Sequence, residues 1–191
     1  MTKVFIADVS KLNSDISVYK DLVSSYRFEK AMGLKNELHR LQSIGCELLL
    51  AEFLGRVPKY YIDEFGKPTG ENVNFNFSHS GIYSVCAVSD GTVGVDIEKI
   101  RNVNIEIAKK KFLHKEYEEI INSKNPDELF MEYWLKKESY AKALGRGTRI
   151  PFDSFDINNI SDFRLCTFNM NDYKICVCSE YEAEICISSI V

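Results

Sequence analysis

The chain has no Cys-x-x-C pair. Its six cysteines stand at 46, 86, 166, 176, 178 and 186, mostly inside apolar strand-like runs, and its three histidines do not cluster with them. The common zinc frameworks are therefore excluded, and the cysteines read as small buried hydrophobes rather than as disulfide partners. A reducing compartment, the cytoplasm, is the expected location. No apolar run is long enough to cross a bilayer, so a membrane is not an expected partner. The opening stretch "MTKVFIADVS" lacks the apolar segment of a signal peptide and reads as a first strand. Excess positive charge is missing too: 24 Lys and Arg against 28 Asp and Glu give a net charge of −4, which argues against nucleic acid. Low-complexity linkers are absent. What remains is 191 residues, 45% hydrophobic and 12% aromatic, enough for one ordinary domain or two small ones packed together.

Helices and strands are readable from spacing. In "NELHRLQSIGCELLLAEFLG", Leu38, Leu41, Ile44, Leu48 and Ala51 recur at helical intervals, with Gly55 as the stop. "NVNFNF" alternates polar and apolar residues like a half-buried strand. "IYSVCAVSDGTVGVDIE" predicts a hairpin turning at Asp90-Gly91. A two-residue turn there sets Val88 opposite Val93, Val85 opposite Asp96 and Tyr83 opposite Glu98. "NVNIEIAKKKFLHKEYEEIINS" gives one or two short helices. In "NPDELFMEYWLKKESYAKALG", Asn125 is a cap, Pro126 suits the first helical position, Glu128 completes a capping box, and Gly145 ends the helix. "FDSFDI", "DFRLCTF", "YKICVCS" and "EICISS" read as short strands. A helix followed by strands occurs twice. The expected fold class is therefore α+β, as two similar halves with antiparallel sheets packed with helices, residues 1–93 and 94–191.

Chemistry concentrates where carboxylates interrupt apolar runs. In "GVDIEKI", Asp96 and Glu98 are two apart, so on a strand they leave the same face while Val95 and Ile97 point the other way. Like charges so placed repel unless a cation lies between them. In the last long helix, Lys137 falls inside the stripe of Phe130, Trp134, Ala141 and Leu144, with Glu138 at its edge and Lys142 four residues further on. Taken alone, Glu138 and Lys142 make a surface pair worth about 0.2–0.5 kcal/mol, and Lys137 snorkels past the core. Taken with Asp96 and Glu98, Glu138 supplies a third carboxylate to an all-oxygen site of the kind Mg²⁺ prefers, with lysines left to meet phosphate. "NFSHSG" places donors at Ser78, His79 and Ser80 in a glycine-ended turn suited to phosphate. Lys67 in "EFGKPTG", and Lys30 and Arg40, read equally as ordinary surface charges.

"FGKP", "NFSHSG", "GVDIEKI" and "WLKKESYAKALGRG", in that order, resemble the 4′-phosphopantetheinyl transferases. The resemblance is to the Sfp type, which fuses two similar halves in one chain as a pseudo-dimer, and it runs from about Tyr26 to the strands after Pro151. It implies transfer of 4′-phosphopantetheine from coenzyme A to a serine of an apo acyl or peptidyl carrier protein, releasing adenosine 3′,5′-bisphosphate. It implies Mg²⁺ on Asp96, Glu98 and Glu138, with Glu138 also helping to deprotonate the serine. Lys137 and Lys142 would contact phosphates, Lys142 also acting in catalysis. Ser78 and His79 would hold the nucleotide's phosphate groups, Lys67 the 3′-phosphate side of the adenosine, and Arg40 and Lys30 further phosphate. A monomer with one site between the halves is expected. The lysine-rich segment Arg101–Lys115 would meet an acidic carrier.

Overall fold

The computed structural model describes residues 1–70, 72–146 and 149–187. In chain order it contains β1 (Thr2–Asp8), α1 (Ser25–Met32), α2 (Glu37–Leu54), β2 (Tyr60–Ile62), β3 (Pro68–Gly70), β4 (Asn74–Ser80), β5 (Tyr83–Ser89) and β6 (Val93–Lys99). There follow α3 (Glu106–Lys111), α4 (His114–Ile121), α5 (Pro126–Ala143), β7 (Arg164–Met170), β8 (Tyr173–Ser179) and β9 (Ala183–Ile187). One sheet runs β4-β5-β1-β9, a second runs β6-β8-β7, and β2 pairs with β3 alone. This is the expected mixture of helices with mainly antiparallel sheets. The exception is β9, which adds to β1 in parallel.

Alternation along the strands assigns each face its partner. Val4 and Ile6 of β1, with Val85 and Ala87 of β5, pack against Val93, Val95 and Ile97 of β6 and Ile175 and Val177 of β8, so one core lies between the two sheets. The other face of the first sheet, through Ala7, Phe75, Cys86 and Val88, meets Leu49 and Leu50 of α2. Beyond the second sheet, Phe130, Met131 and Ala141 of α5 join Ala108, Phe112, Ile120 and Phe152. All residues of α2 from Leu41 to Leu50 are buried. Its apolar spacing predicts one buried stripe, but α1 and the turns before it cover its other side. Gly55 ends α2 in the left-handed conformation, φ 63°.

Gly94 fixes the distance between α5 and β6. A Cβ built there would lie 2.0 Å from the Ser139 carbonyl oxygen and 2.3 Å from the Ala143 amide nitrogen. Both are main-chain atoms of a helix, which no side-chain rotation can clear.

Three sequence expectations are corrected. β5 and β6 do not form a hairpin: β5 already has β4 on one edge and β1 on the other, so it has no edge left for β6, which pairs with β8 instead. Asp96 therefore lies opposite Cys176 and Glu98 opposite Lys174. "FDSFDI" is no strand but part of two 3-10 turns, Phe152–Ser154 and Ile157–Asn159, because the Phe152 and Phe155 carbonyls bend inward to a buried ammonium. Asn125 makes no side-chain cap bond on α5, and Glu128 reaches Lys174 of β8 at 3.2 Å rather than back to the helix start. The expected strand "EICISS" is β9, whose two closing serines, 188 and 189, lie outside the described residues, as does Gly147 of "GRG".

Gly94→Ala must push α5 away from β6, and we expect a loss of about 3 kcal/mol in stability, read from the urea midpoint of the variant.

Candidate active site

β4 and β6 are the edge strands of their sheets, and they meet without a backbone ladder. An edge leaves alternate amides unpaired, and a buried one needs a partner. Here β4 supplies side chains. Asn76 Oδ1 accepts from the Val95 amide at 3.0 Å, Ser78 Oγ from Ile97 at 3.4 Å, and Ser80 Oγ from Lys99 at 3.2 Å. The alternation of "NFNFSHS" sends Phe75 and Phe77 into the helix-side core and these three polar residues to the seam.

The two serines also hold the carboxylates. Ser78 Oγ donates to Asp96 Oδ1 at 2.8 Å, and Ser80 Oγ donates to Glu98 Oε2 at 3.0 Å. From α5, the Lys142 ammonium donates to Asp96 Oδ1 at 2.6 Å, to Ser78 Oγ at 3.1 Å and to the Val95 carbonyl at 3.2 Å. Lys142 thus pairs across to β6 and not with Glu138 on its own helix. Asp96 Oδ2 is buried and has no hydrogen-bond partner. Glu98 and Glu138 line the same cleft of about 300 Å³, with His79, Trp134 and Phe77. Among the described residues no group of three or more His, Cys, Asp or Glu side chains stands close enough together to hold a metal ion.

The electrostatics of the cleft favour an added cation. Burial raises the Glu138 carboxyl above its ordinary value, the Asp96 charge raises it further, and Lys142 only partly opposes them. Burial, then Asp96, raises Glu98 in the same way. Partial burial and the nearby Lys142 charge hold the His79 imidazole below its usual value. A hard divalent cation fits this donor set: it would give Asp96 Oδ2 a partner and relieve two carboxylates that disfavour their own charge.

The other residues singled out from the sequence lie elsewhere. Lys137 is fully buried and does not reach the cleft's carboxylates. It pairs with the equally buried Glu116 at 2.9 Å, donates to the Phe152 and Phe155 carbonyls, and stands 4.3 Å over the Phe155 ring. Lys67 donates to the Ala143 carbonyl at 2.9 Å and to Val93 at 3.4 Å, tying the β2–β3 pair to the end of α5 and the start of β6. Burial lowers its ammonium. The Arg40 guanidinium donates to Leu34 O at 2.6 Å. A second cleft, of about 330 Å³, adjoins the carboxylates through Phe77 and His79 and takes its basic lining from Arg27, Lys30 and His39. Lys30 is therefore placed there, whereas Arg27 and His39 escape sequence reading. Arg27 is itself paired with buried Glu47 at 3.0 Å.

Comparison with known proteins bears on this geometry. The family model described as the 4′-phosphopantetheinyl transferase superfamily matches residues 92–188, which include β6, α5 and every carboxylate of the cleft. The chain belongs to the 4′-phosphopantetheinyl transferase superfamily. Its likeness is to the Sfp type. A 4′-phosphopantetheinyl transferase of Bacillus subtilis is 40% identical over 102 residues, covering 50% of this chain and 45% of the relative. The gsp transferase of Aneurinibacillus migulanus is 39% identical over 127 residues, 61% of this chain and 54% of its own. Sfp of Bacillus subtilis strain 168 is 37% identical over 105 residues, 52% and 46%. The chain spans about half the length of the curated relatives it matches.

Two solution measurements follow from this transferase-family site. Lys137→Ala leaves Glu116 charged and unpaired in the core, so we expect a loss of about 3–5 kcal/mol in a denaturant melt. The double change Lys137→Met with Glu116→Gln recovers part of that loss. The second measurement is pH-dependent. A carboxyl raised in the folded chain binds its proton more tightly folded than unfolded, so its destabilising effect is full at neutrality and fades as pH falls toward 4.5. In metal-free protein, Glu138→Gln therefore melts about 2 °C above wild type at neutral pH, and the gap closes on acidification.

Proposed function

We propose that this chain transfers 4′-phosphopantetheine from coenzyme A to a serine of an apo acyl or peptidyl carrier protein, releasing adenosine 3′,5′-bisphosphate. The observation that carries the reading is the single cleft in which Asp96, Glu98, Glu138, His79 and Lys142 converge, next to a second cleft with basic walls. Asp96, Glu98 and Glu138 would hold Mg²⁺, which when bound neutralises charge on the pyrophosphate.

The chain's own groups divide the remaining tasks. Glu138 lies in the cleft beside Asp96 and Glu98 and would take the proton from the incoming serine hydroxyl. Lys142 lies beside Asp96 and would share its ammonium with the departing phosphate. His79 borders both clefts and would donate to phosphate, with Lys30 further along the basic wall. Trp134 lines the cleft together with Glu138. Beside Glu138, Lys110 and Lys111 border a cleft shared with Trp134 and Pro151, so an acidic carrier would bring its serine past these lysines. The reading takes residues 1–93 and 94–191 as two related halves of a pseudo-dimer, with β9 tying the second back to the first. It also takes the working unit as a cytoplasmic monomer with no nucleic-acid or membrane partner. Six free cysteines support the compartment, and no helix among the described residues is long and apolar enough to cross a membrane.

The test is incubation with coenzyme A, Mg²⁺ and an apo carrier, followed by intact mass. We expect a phosphopantetheine gain on the carrier, abolished by chelator and reduced at least about 100-fold in Glu138→Gln, as for loss of a general base. Breakdown of coenzyme A without an acceptor would replace the transferase by a hydrolase. Binding without any turnover would leave only a binding module.

A further inference from the structure

Ser80 makes two bonds with one hydroxyl. Its oxygen accepts from the Lys99 amide at 3.2 Å, and its proton goes to Glu98 Oε2 at 3.0 Å. The first bond pins the hydroxyl to the backbone of β6. The second orients the carboxylate one residue earlier on that strand. Glu98 is partly exposed on an edge strand, and no ion pair holds it among the described residues. Asp96 is different, because Lys142 and Ser78 both hold its Oδ1. A glutamate side chain has three rotatable bonds, and a free one would spend much of its time away from the cleft.

Resting on the reading of this cleft as a divalent-cation site, we propose that Ser80 is the residue that positions Glu98 for the cation. The hydroxyl leaves Glu98 Oε1 free as the coordinating oxygen while Oε2 is held. A donor behind a coordinating carboxylate fixes its orientation, and removing such a donor weakens metal affinity by about 10–100-fold. The seam provides its own control. Asn76 makes the matching bond to β6, at Val95, but touches no carboxylate.

The test uses the whole chain without nucleotide or carrier, with Mn²⁺ as a paramagnetic probe titrated by electron spin resonance. Ser80→Ala should raise the Mn²⁺ dissociation constant about tenfold, and Ser80→Thr, which keeps the hydroxyl, should restore most of it. Asn76→Ala should lower the melting temperature and leave Mn²⁺ affinity within about twofold of wild type, since it removes a seam bond alone. Unchanged affinity in Ser80→Ala overturns the proposal and leaves the transferase reading standing. So does an equal loss in Asn76→Ala, which would make the effect one of seam stability. Wild-type chain that binds no Mn²⁺ overturns the cation site and the role of Ser80 with it.

Discussion

A buried carboxylate on an edge strand sets the terms for the structure around it. Asp96 is almost fully buried, and its Oδ1 takes hydrogen bonds from Lys142 and Ser78. Those two donors come from opposite sides, α5 and β4, so the charge bridges a helix behind the second sheet to the edge of the first. The geometry holds only because Gly94, two residues earlier, lets α5 lie against the β6 backbone. It also needs α5 anchored at its other flank, where Lys137 draws in Glu116 of α4 and the carbonyls of the 152–155 turn. Each contact is local, yet together they decide where Glu138 stands.

Among the described residues, three cation–carboxylate pairs have a carboxylate that is almost fully buried, and their surroundings separate scaffold from site. Arg27 with Glu47 is completed by the Tyr60 hydroxyl and the Ser24 amide. Lys137 with Glu116 is sealed under aromatic rings. Glu116 also leaves one oxygen without a partner, but neither residue of that pair has any exposure, so no ligand can reach it. Asp96 borders an open cleft, and two further carboxylates in that cleft are held above their ordinary values by burial and by Asp96 itself. An unpartnered oxygen in a sealed core is a stability cost. The same atom beside a cleft with excess negative charge is a ligand position.

Much of this was legible in the sequence where a period-2 or 3.6 pattern carried it. Alternation put Asp96 and Glu98 on one face of β6 and Val95 and Ile97 in the core between the sheets, as the structure has them. Strand pairing was not legible, because the Asp90-Gly91 turn signal says nothing about whether β5 has a free edge. β4, just before it in the chain, and β1, at the chain's start, take both edges. Spacing sets Lys137 inside the apolar stripe and Lys142 outside it, but names no partner for a buried ammonium. That partner is Glu116, one acid among several in "HKEYEE", which only the packing of α4 on α5 selects. "NVNFNF" reads as a half-buried strand and "NFSHSG" as a turn, but β4 runs on through Ser80, so Asn76, Ser78 and Ser80 share one face that meets polar groups of β6. That those groups were unpaired amides of β6 depends on β6 being an edge, a property of topology.

The seam itself explains why a cleft exists at this place. Had β4 and β6 joined by a main-chain ladder, they would lie about 4.8 Å apart, with side chains leaving above and below a continuous sheet. Asn76, Ser78 and Ser80 instead interpose their side chains, which holds the strands further apart while still satisfying the amides. The separation leaves room beside the strand that carries Asp96 and Glu98, and the short serine side chains keep that room small. A longer polar residue would fill it, and an apolar one would leave buried amides unpaired. Hydroxyls also donate as well as accept, so the same residues that close the seam can hold the carboxylates beside it. Sheet junction and candidate active site are therefore one construction, and a change to either is felt in the other.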